Sequence, residues 1–489
     1  MRHRRVVVGW AVAALFVAAT LGSGVATASP AATASGEGFL TQARPELVAL
    51  EPGVRIQPLL TAGDVIGNRQ QGYQMSGTPD GLGAYATPDG TIELYMNHEL
   101  NARFDYSGAR VSHLTLDSTG RVLAAEYAIT GNEGYQWFCS STLAFIRGVP
   151  WYFTGEESAN SPRQGTSIAL NTSSGRYVET PQFGHLSHEN IVPVKGLSKA
   201  YLGISEDAFG GSAAQMYSYQ SVRFTAAIRG QGSLRVWVPD HGVPDGNPSS
   251  NDIHKGETVA GHFVRIARRD NFDSATLEKA AQRKGAWDFT RIEDQVADPD
   301  RPGVIYFSET GAANREVTHG RVYRLRVDPN DPRRARLQVV LDADAGDDIF
   351  SPDNLGISHK ALVIQEDRNW KKSGYNRVLV YDLSSGSLTA AARTDPTKKV
   401  IQEHGIGDWE SSGVIDASSL FGPGWWLLNV QAHHTDVSVP GPSLAVDSAQ
   451  GEGGQLEKLY IPRTLSSTRT KRFPSEKRIT SLRDSGRPR

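Results

Sequence analysis

A strand that recurs six times, ending each time on polar and mostly acidic residues, constrains this chain more than any other feature. Each copy is rich in β-branched and aromatic residues and is bounded by Gly or Pro. In the first half, residues 92–96 run into Asn97-His98-Glu99, residues 151–153 into Thr154-Gly155-Glu156-Glu157, and residues 201–204 into Ser205-Glu206-Asp207. In the second half, residues 304–307 run into Ser308-Glu309-Thr310, residues 361–364 into Gln365-Glu366-Asp367, and residues 425–428 into Asn429-Val430-Gln431. A second element precedes each of them, an acidic residue ahead of a short aliphatic strand, at Asp80, Glu189, Asp294, Asp353 and Glu410. The second repeat instead has Cys139-Ser140-Ser141-Thr142-Leu143, spaced like Glu410-Ser411-Ser412-Gly413-Val414. The thiol therefore stands where the other repeats place a carboxylate.

Six units of roughly 50–65 residues, each with two or more strands, predict an all-β fold, a six-bladed β-propeller. Fifty glycines and 25 prolines suit such a turn-rich fold better than a helical one. In a propeller, equivalent positions of every blade converge on one channel. Acids at strand ends often do no more than solvate a terminus. Six clusters brought together would repel one another without cations, so the repeat predicts metal binding. Acidic clusters with Asn and backbone carbonyls suit calcium, whereas a thiolate is a softer ligand that suits iron or another transition metal.

The chain begins with a secretory pattern. Arg2, Arg4 and Arg5 precede an apolar stretch to about Leu21, and Ala26-Thr27-Ala28 offers small residues for cleavage. Residues 1–28 are predicted to be a signal peptide for the Sec or Tat route, and its removal moves the formal charge from −2 to −5. No later segment is apolar enough to span a bilayer, which predicts a secreted or extracytoplasmic monomer. Cys139 is the single cysteine, so no intramolecular disulfide forms. It is either a buried small side chain or a metal ligand.

Residues 29–64 read as an N-terminal segment and 65–462 as the propeller. The third and fourth repeats stand about 100 residues apart, and the excess, about 236–287, reads as an insertion with one helix, N-capped by Ser274 and followed by Gly285. Residues 463–489 form a basic tail with nine Lys or Arg against two acids.

Asn97-His98-Glu99, Thr154-Gly155-Glu156-Glu157, His188-Glu189-Asn190, Glu206-Asp207, Arg291-Ile292-Glu293-Asp294 and Ser351-Pro352-Asp353-Asn354-Leu355 resemble, in order and spacing, the signatures of the PhoX-type alkaline phosphatases. The resemblance covers about residues 65–435. It implies a six-bladed propeller that hydrolyses phosphomonoesters at two ferric irons and several calcium ions, with a cysteine thiolate among the iron ligands. Carried over by position, it makes Glu99, Glu157, Glu189, Asp207, Glu293 and Asp353 metal ligands and Arg291 a phosphate contact with a catalytic role. Cys139 matches a family cysteine approximately and is the candidate thiolate. The family often carries Cys-Glu-Glu where this chain has Gly155-Glu156-Glu157.

Lys360, Arg368 and Arg315 also lie near the acidic signatures in sequence, and with Arg291 they are candidates to hold a small phosphorylated substrate. His98, His188, His404, His433 and His434 lie beside repeat ends, where a metal-bound histidine or a general acid is conceivable. Glu403-His404 and His433-His434 lack the spacing of a zinc protease, and there is neither a Gly-x-Ser-x-Gly elbow nor a P-loop. The acidic balance argues against nucleic acid as a partner. Two alternatives stand beside the phosphatase reading: a calcium-dependent propeller lactonase or phosphotriesterase, and a non-catalytic calcium-bound propeller that binds at the cell surface.

Overall fold

The computed structural model describes residues 37–67, 72–101, 108–208, 212–241, 248–313, 315, 317–367, 375–395, 409–433, 452–463 and 465, and the backbone of Ala32–Thr33. The expected signal peptide, Arg368, His404, His434 and all but two positions of the basic tail lie outside the described residues.

Each repeat folds as an antiparallel meander with its acid-bearing strand innermost. The inner strands are Pro79–Ala86, Phe138–Ile146, His188–Val194, Ile292–Ala297, Pro352–Ile357 and Trp409–Asp416. Each packs beside the next, and Trp409–Asp416 packs back beside Pro79–Ala86, so the six close a ring. The apolar stretches of the sequence form the second strands, Ile92–His98, Val149–Glu156, Ala200–Glu206, Val304–Glu309, Ala361–Glu366 and Trp425–Ala432.

The core lies between successive sheets rather than in one centre. Tyr95 and Val111 pack with Tyr152 and Leu170, Phe153 with Leu202, and Trp237 with Phe307. Tyr306 packs with Leu362, Val363 with Leu428, and Leu427 with Leu94, which returns to the first repeat. Face-to-face sheets around a closed ring of inner strands define an all-β, propeller-like architecture.

Two segments are more integrated than the sequence suggests. Arg55–Thr61, read above as preceding the propeller, pairs with Gly453–Tyr460 as the outermost strand of the last sheet, tying one end of the chain to the other. Thr258–Arg265, from the expected insertion, pairs with both Ser233–Pro239 and Arg334–Asp342, so the third and fourth meanders merge into one nine-stranded sheet. The helix of that segment, Ser274–Gln282, is capped by Asp273, whose carboxylate accepts from the Thr276 amide, and not by Ser274. Gly285 follows it in the left-handed region, φ 72°.

Candidate metal centre

Every inner strand carries its distinctive residue at the second position: Asp80, Cys139, Glu189, Glu293, Asp353 and Glu410. In the first five repeats that residue lies within a break in the pairing with the second strand, where the inner strand carries one extra residue as in a bulge. A bulge re-aims the side chain beside it. Two residues earlier in four of these strands, Thr78, Trp137, Arg291 and Ser351 hold positive φ of 42°, 46°, 60° and 44°. Such a conformation costs a non-glycine residue on the order of 1–3 kcal/mol and persists where the surroundings enforce it. Here the enforcement is a repeated hydrogen bond. Glu99, Glu157, Thr310 and Asp367 each donate their amide to the carbonyl of the strained residue, at 2.8–3.0 Å.

Those four amide donors, with Asp207 and His433, immediately follow the second strands and form an outer set beside the inner one. The two sets interlock in overlapping triads whose ligand atoms lie within 4.8 Å of one another. They are Asp80/Glu99/Cys139, Cys139/Glu157/Glu189, Glu157/Asp207/Glu293, Glu189/Glu293/Asp353 and Asp353/Asp367/Glu410. All seven sequence-predicted ligands fall in this cluster: Glu99, Cys139, Glu157, Glu189, Asp207, Glu293 and Asp353. Asp80, Asp367 and Glu410 were not among them. The signal for Asp80 and Glu410 was their place in the repeat, and for Asp367 its place beside Glu366.

The site is electrostatically unsatisfied by protein alone. Burial raises the carboxyl pKa values of Asp80, Glu157, Glu189, Glu293, Asp353 and Glu410, and in the last five neighbouring acids push in the same direction. Glu99 is raised to about 7 by burial and by Asp80. Burial, then Asp80 and Glu189, hold the Cys139 thiol protonated well above its ordinary range. Its Sγ lies 3.1 Å from Asp80 Oδ2 and 3.2 Å from Glu189 Oε1, but one thiol proton serves only one of them. Glu189 Oε1 also accepts from Ser140 Oγ at 2.7 Å, while Oε2 is buried without a hydrogen-bond partner.

Arg291 brings a guanidinium into the cluster. Arg291 donates through Nε and Nη2 to Asp207, with Nη2–Oδ2 at 2.8 Å, and Nη2 lies 2.8 Å from Glu293 Oε1. Its guanidinium is committed to two carboxylates, and a substrate oxygen would have to share it. At another edge His433 Nδ1 lies 2.6 Å from Glu452 Oε2; burial would lower its pKa, but Glu452 outweighs that and raises it to about 9.

Several sequence expectations are corrected. Lys360 sits in the exposed hairpin between Pro352–Ile357 and Ala361–Glu366, at the opposite end of these strands from Asp353. It cannot reach a substrate held among the carboxylates, because a strand of this length spans about 20 Å. Arg315 donates to the Ser212 carbonyl. Asp294, aligned above with the ring acids, turns to the neighbouring strands and accepts from Asn190 Nδ2, the Gln295 amide and the Leu355 amide at 2.9 Å or less. Glu293 takes the ring position. His98 bonds to the Gly77 carbonyl and Ser112 Oγ, and His188 to the Gly184 carbonyl; burial lowers their pKa values to about 3 and about 4 and keeps both rings neutral.

The paired acids divide their labour. Glu156 binds the Gln136 and Thr166 amides and Ser161 Oγ, and Glu309 binds the Thr290 amide, Ser250 Oγ and Tyr323 OH. These first acids pin loops, while the residue after each lies in the outer set. Gly155 leaves no room for the cysteine that the PhoX pattern often carries there: a Cβ would stand 2.5 Å from His188 Cβ. The thiol of this chain approaches from the neighbouring inner strand instead.

No protein-family model and no curated protein sequence matches the chain. Among solved structures it is similar to a Dyadobacter fermentans protein of unknown function, at 8% identity and TM-score 0.41, over 84% of this chain and 100% of that one. It is also similar to a Trypanosoma rangeli sialidase (10%, TM-score 0.37, 84% of this chain and 60% of that one) and to a thermostable family-43 glycoside hydrolase (12%, 0.35, 66% and 95%). These likenesses are too slight to transfer an activity.

Proposed function

We propose that the chain is an exported, metal-dependent phosphatase of the PhoX type, built on six blades of which the third and fourth share a sheet. In this reading it hydrolyses phosphomonoesters at a multinuclear centre of calcium and thiolate-bound iron. The observation that carries it is the coincidence of Cys139 with the ring position otherwise held by Asp80, Glu189, Glu293, Asp353 and Glu410, within overlapping ligand triads. The donor set fits the ions. The three triads without Cys139 offer oxygen donors only, as calcium prefers, and the two that share Cys139 add a sulfur suited to iron. The unpartnered Glu189 Oε2 gives a second sign that a cation belongs there.

Bound cations would supply Lewis acidity toward phosphate oxygens and a lowered pKa for a coordinated water. The chain's own contribution is placement. Asp80, Glu99, Cys139, Glu157 and Glu189 would hold the thiolate-containing part, and Glu293, Asp353, Asp367 and Glu410 the oxygen-only part. Arg291, oriented by Asp207 and Glu293, would present its guanidinium to a phosphate at the cluster's edge. Burial of Asp80, Cys139, Glu189 and Glu293 would limit water on that side of the reacting group.

Elemental analysis of native protein, with turnover of a chromogenic phosphate monoester before and after strong chelation, tests the reading. Iron and calcium together with chelator-sensitive turnover are expected. Fully metallated protein that hydrolyses no phosphoester sinks it. Because three triads hold only oxygen, a calcium-only hydrolase acting on lactones or phosphotriesters is the second reading. Calcium without iron, and full activity after Cys139→Ala, would favour that one.

A further inference from the structure

The turns at the far ends of the second and third inner strands, opposite the carboxylates, are basic. Between the second and third repeats they open into a groove of about 340 Å³. Its rim bears Arg147, Lys195, Lys199 and Arg223, and its lining includes no acid. All four cations are exposed, and none makes a salt bridge or side-chain hydrogen bond among the described residues. Beside them stand two exposed apolar side chains, Val222 at 80% and Phe145 at 43%. Arg147 occupies the first position of the two-residue hairpin Arg147-Gly148, with φ of 54° and 81°. Asn or Gly is favoured at that site, so the backbone bears a cost to hold an arginine there.

We propose that this groove is a docking surface for an anionic phospholipid bilayer. Unpaired cations gain from the negative potential of such a surface, and apolar side chains beside them insert at the headgroup boundary. Phe145 lies six residues along its strand from Cys139, about 20 Å away, so docking here leaves the acidic centre facing away from the anionic surface. The four unpaired cations around the groove favour the same orientation on approach. An acidic centre that the bilayer repels and a basic, apolar-rimmed groove that it attracts select one orientation. The inference is independent of the chemistry proposed for the carboxylates.

Co-sedimentation of the full chain with phosphatidylglycerol-containing vesicles and with neutral phosphatidylcholine vesicles tests it. Binding to the anionic vesicles is expected to be at least about tenfold stronger and to weaken as salt screens the charges. The combined Arg147→Glu, Lys195→Glu, Lys199→Glu and Arg223→Glu variant is expected to lose that difference, and Val222→Asp to weaken binding without changing the cations. The milder pair Lys195→Gln and Lys199→Gln, expected to bind several-fold more weakly, serves if the fourfold variant folds poorly. Equal binding to both vesicle types overturns the proposal. So does undiminished binding by the charge variants, which would assign attachment to the basic tail, or saturation of the groove by inorganic phosphate without vesicle binding.

Discussion

Cys139 occupies on its strand the place that Asp80 holds on the strand beside it, and its sulfur lies 3.1 Å from that carboxylate. The pair joins the first two blades at the ring, with Glu189 on the other side of the thiol at 3.2 Å. Without a cation this arrangement keeps the thiol protonated; in the proposed reading a bound cation would displace that proton and take sulfur as a ligand. Cys139→Ser preserves a hydrogen-bond donor of similar size but removes the soft donor. We predict that it loses bound iron while retaining calcium, as read by elemental analysis. Parent and variant carrying the same metals would remove sulfur from the ligand set.

Glu157 shares triads with Cys139 and Glu189 on one side and with Asp207 and Glu293 on the other. Burial and those neighbours oppose its ionisation. Glu157→Gln should therefore have opposite effects in two conditions. In strong chelator it should stabilise, by about 1–2 kcal/mol, because one of several mutually repelling acids is gone. In excess calcium it should lower Tm relative to the parent, because a ligand is gone. Thermal unfolding in both buffers checks the crossing; a loss of stability in chelator would show that repulsion does not dominate the metal-free centre.

Gly155 tests whether the thiol position is fixed by space. Its α-carbon faces the His188 side chain so closely that a Cβ would meet Cβ at 2.5 Å and Cγ at 2.8 Å. Gly155→Cys should cost about 1–3 kcal/mol through overpacking. It should add no metal-bound thiol, and Cys139→Ser combined with it should not recover iron.

The ring was legible in the sequence because each blade repeats one local pattern, an acid ahead of an aliphatic strand. What the pattern could not convey was which of two adjacent acids faces the axis. Glu293 and Asp294 look equivalent as letters, and the choice between them depends on a bulge that is invisible without the partner strand. Lys360 was misplaced for a related reason: nearness in sequence to Asp353 becomes distance once a strand runs between them. The pairing of Arg55–Thr61 with Gly453–Tyr460 joins segments about 400 residues apart and leaves no local trace. The basic groove was missed because its four cations come from three separate hairpins and strand ends.

Glu309 separates the structural acids from the ring acids. Its carboxylate holds the Thr290 amide at 2.6 Å and Ser250 Oγ at 2.8 Å, fixing the loop that leads to Arg291. Burial raises its pKa to about 7. Glu309→Ala leaves those buried donors unpaired and should destabilise by about 2–4 kcal/mol. Metal stoichiometry measured on the folded fraction should not change. A lost ion with unchanged Tm would assign Glu309 to the centre instead.

His113 gives a pH dependence that can be read apart from the metal cluster. Its ring lies between two carboxylates, Nδ1 at 3.1 Å from Glu126 and Nε2 at 2.5 Å from Glu93, and stacks on Tyr95 at 4.5 Å between centroids. Burial alone would lower its pKa, but the two carboxylates outweigh burial and raise it from 6.5 to about 9. A raised histidine pKa stabilises the fold where the ring is protonated in both states, and that stabilisation fades as the folded protein gives up the proton. The contribution should be fully present below about pH 6.5 and lost progressively up to about pH 9. It should amount to on the order of 1–3 kcal/mol across that window. His113→Gln keeps hydrogen-bonding capacity but cannot carry the charge. We predict that the stability difference between parent and variant, measured by denaturant unfolding in chelator, shrinks steadily from pH 6.5 to pH 9. A difference that is flat across that range would mean that the ring carries no charge between its two acids.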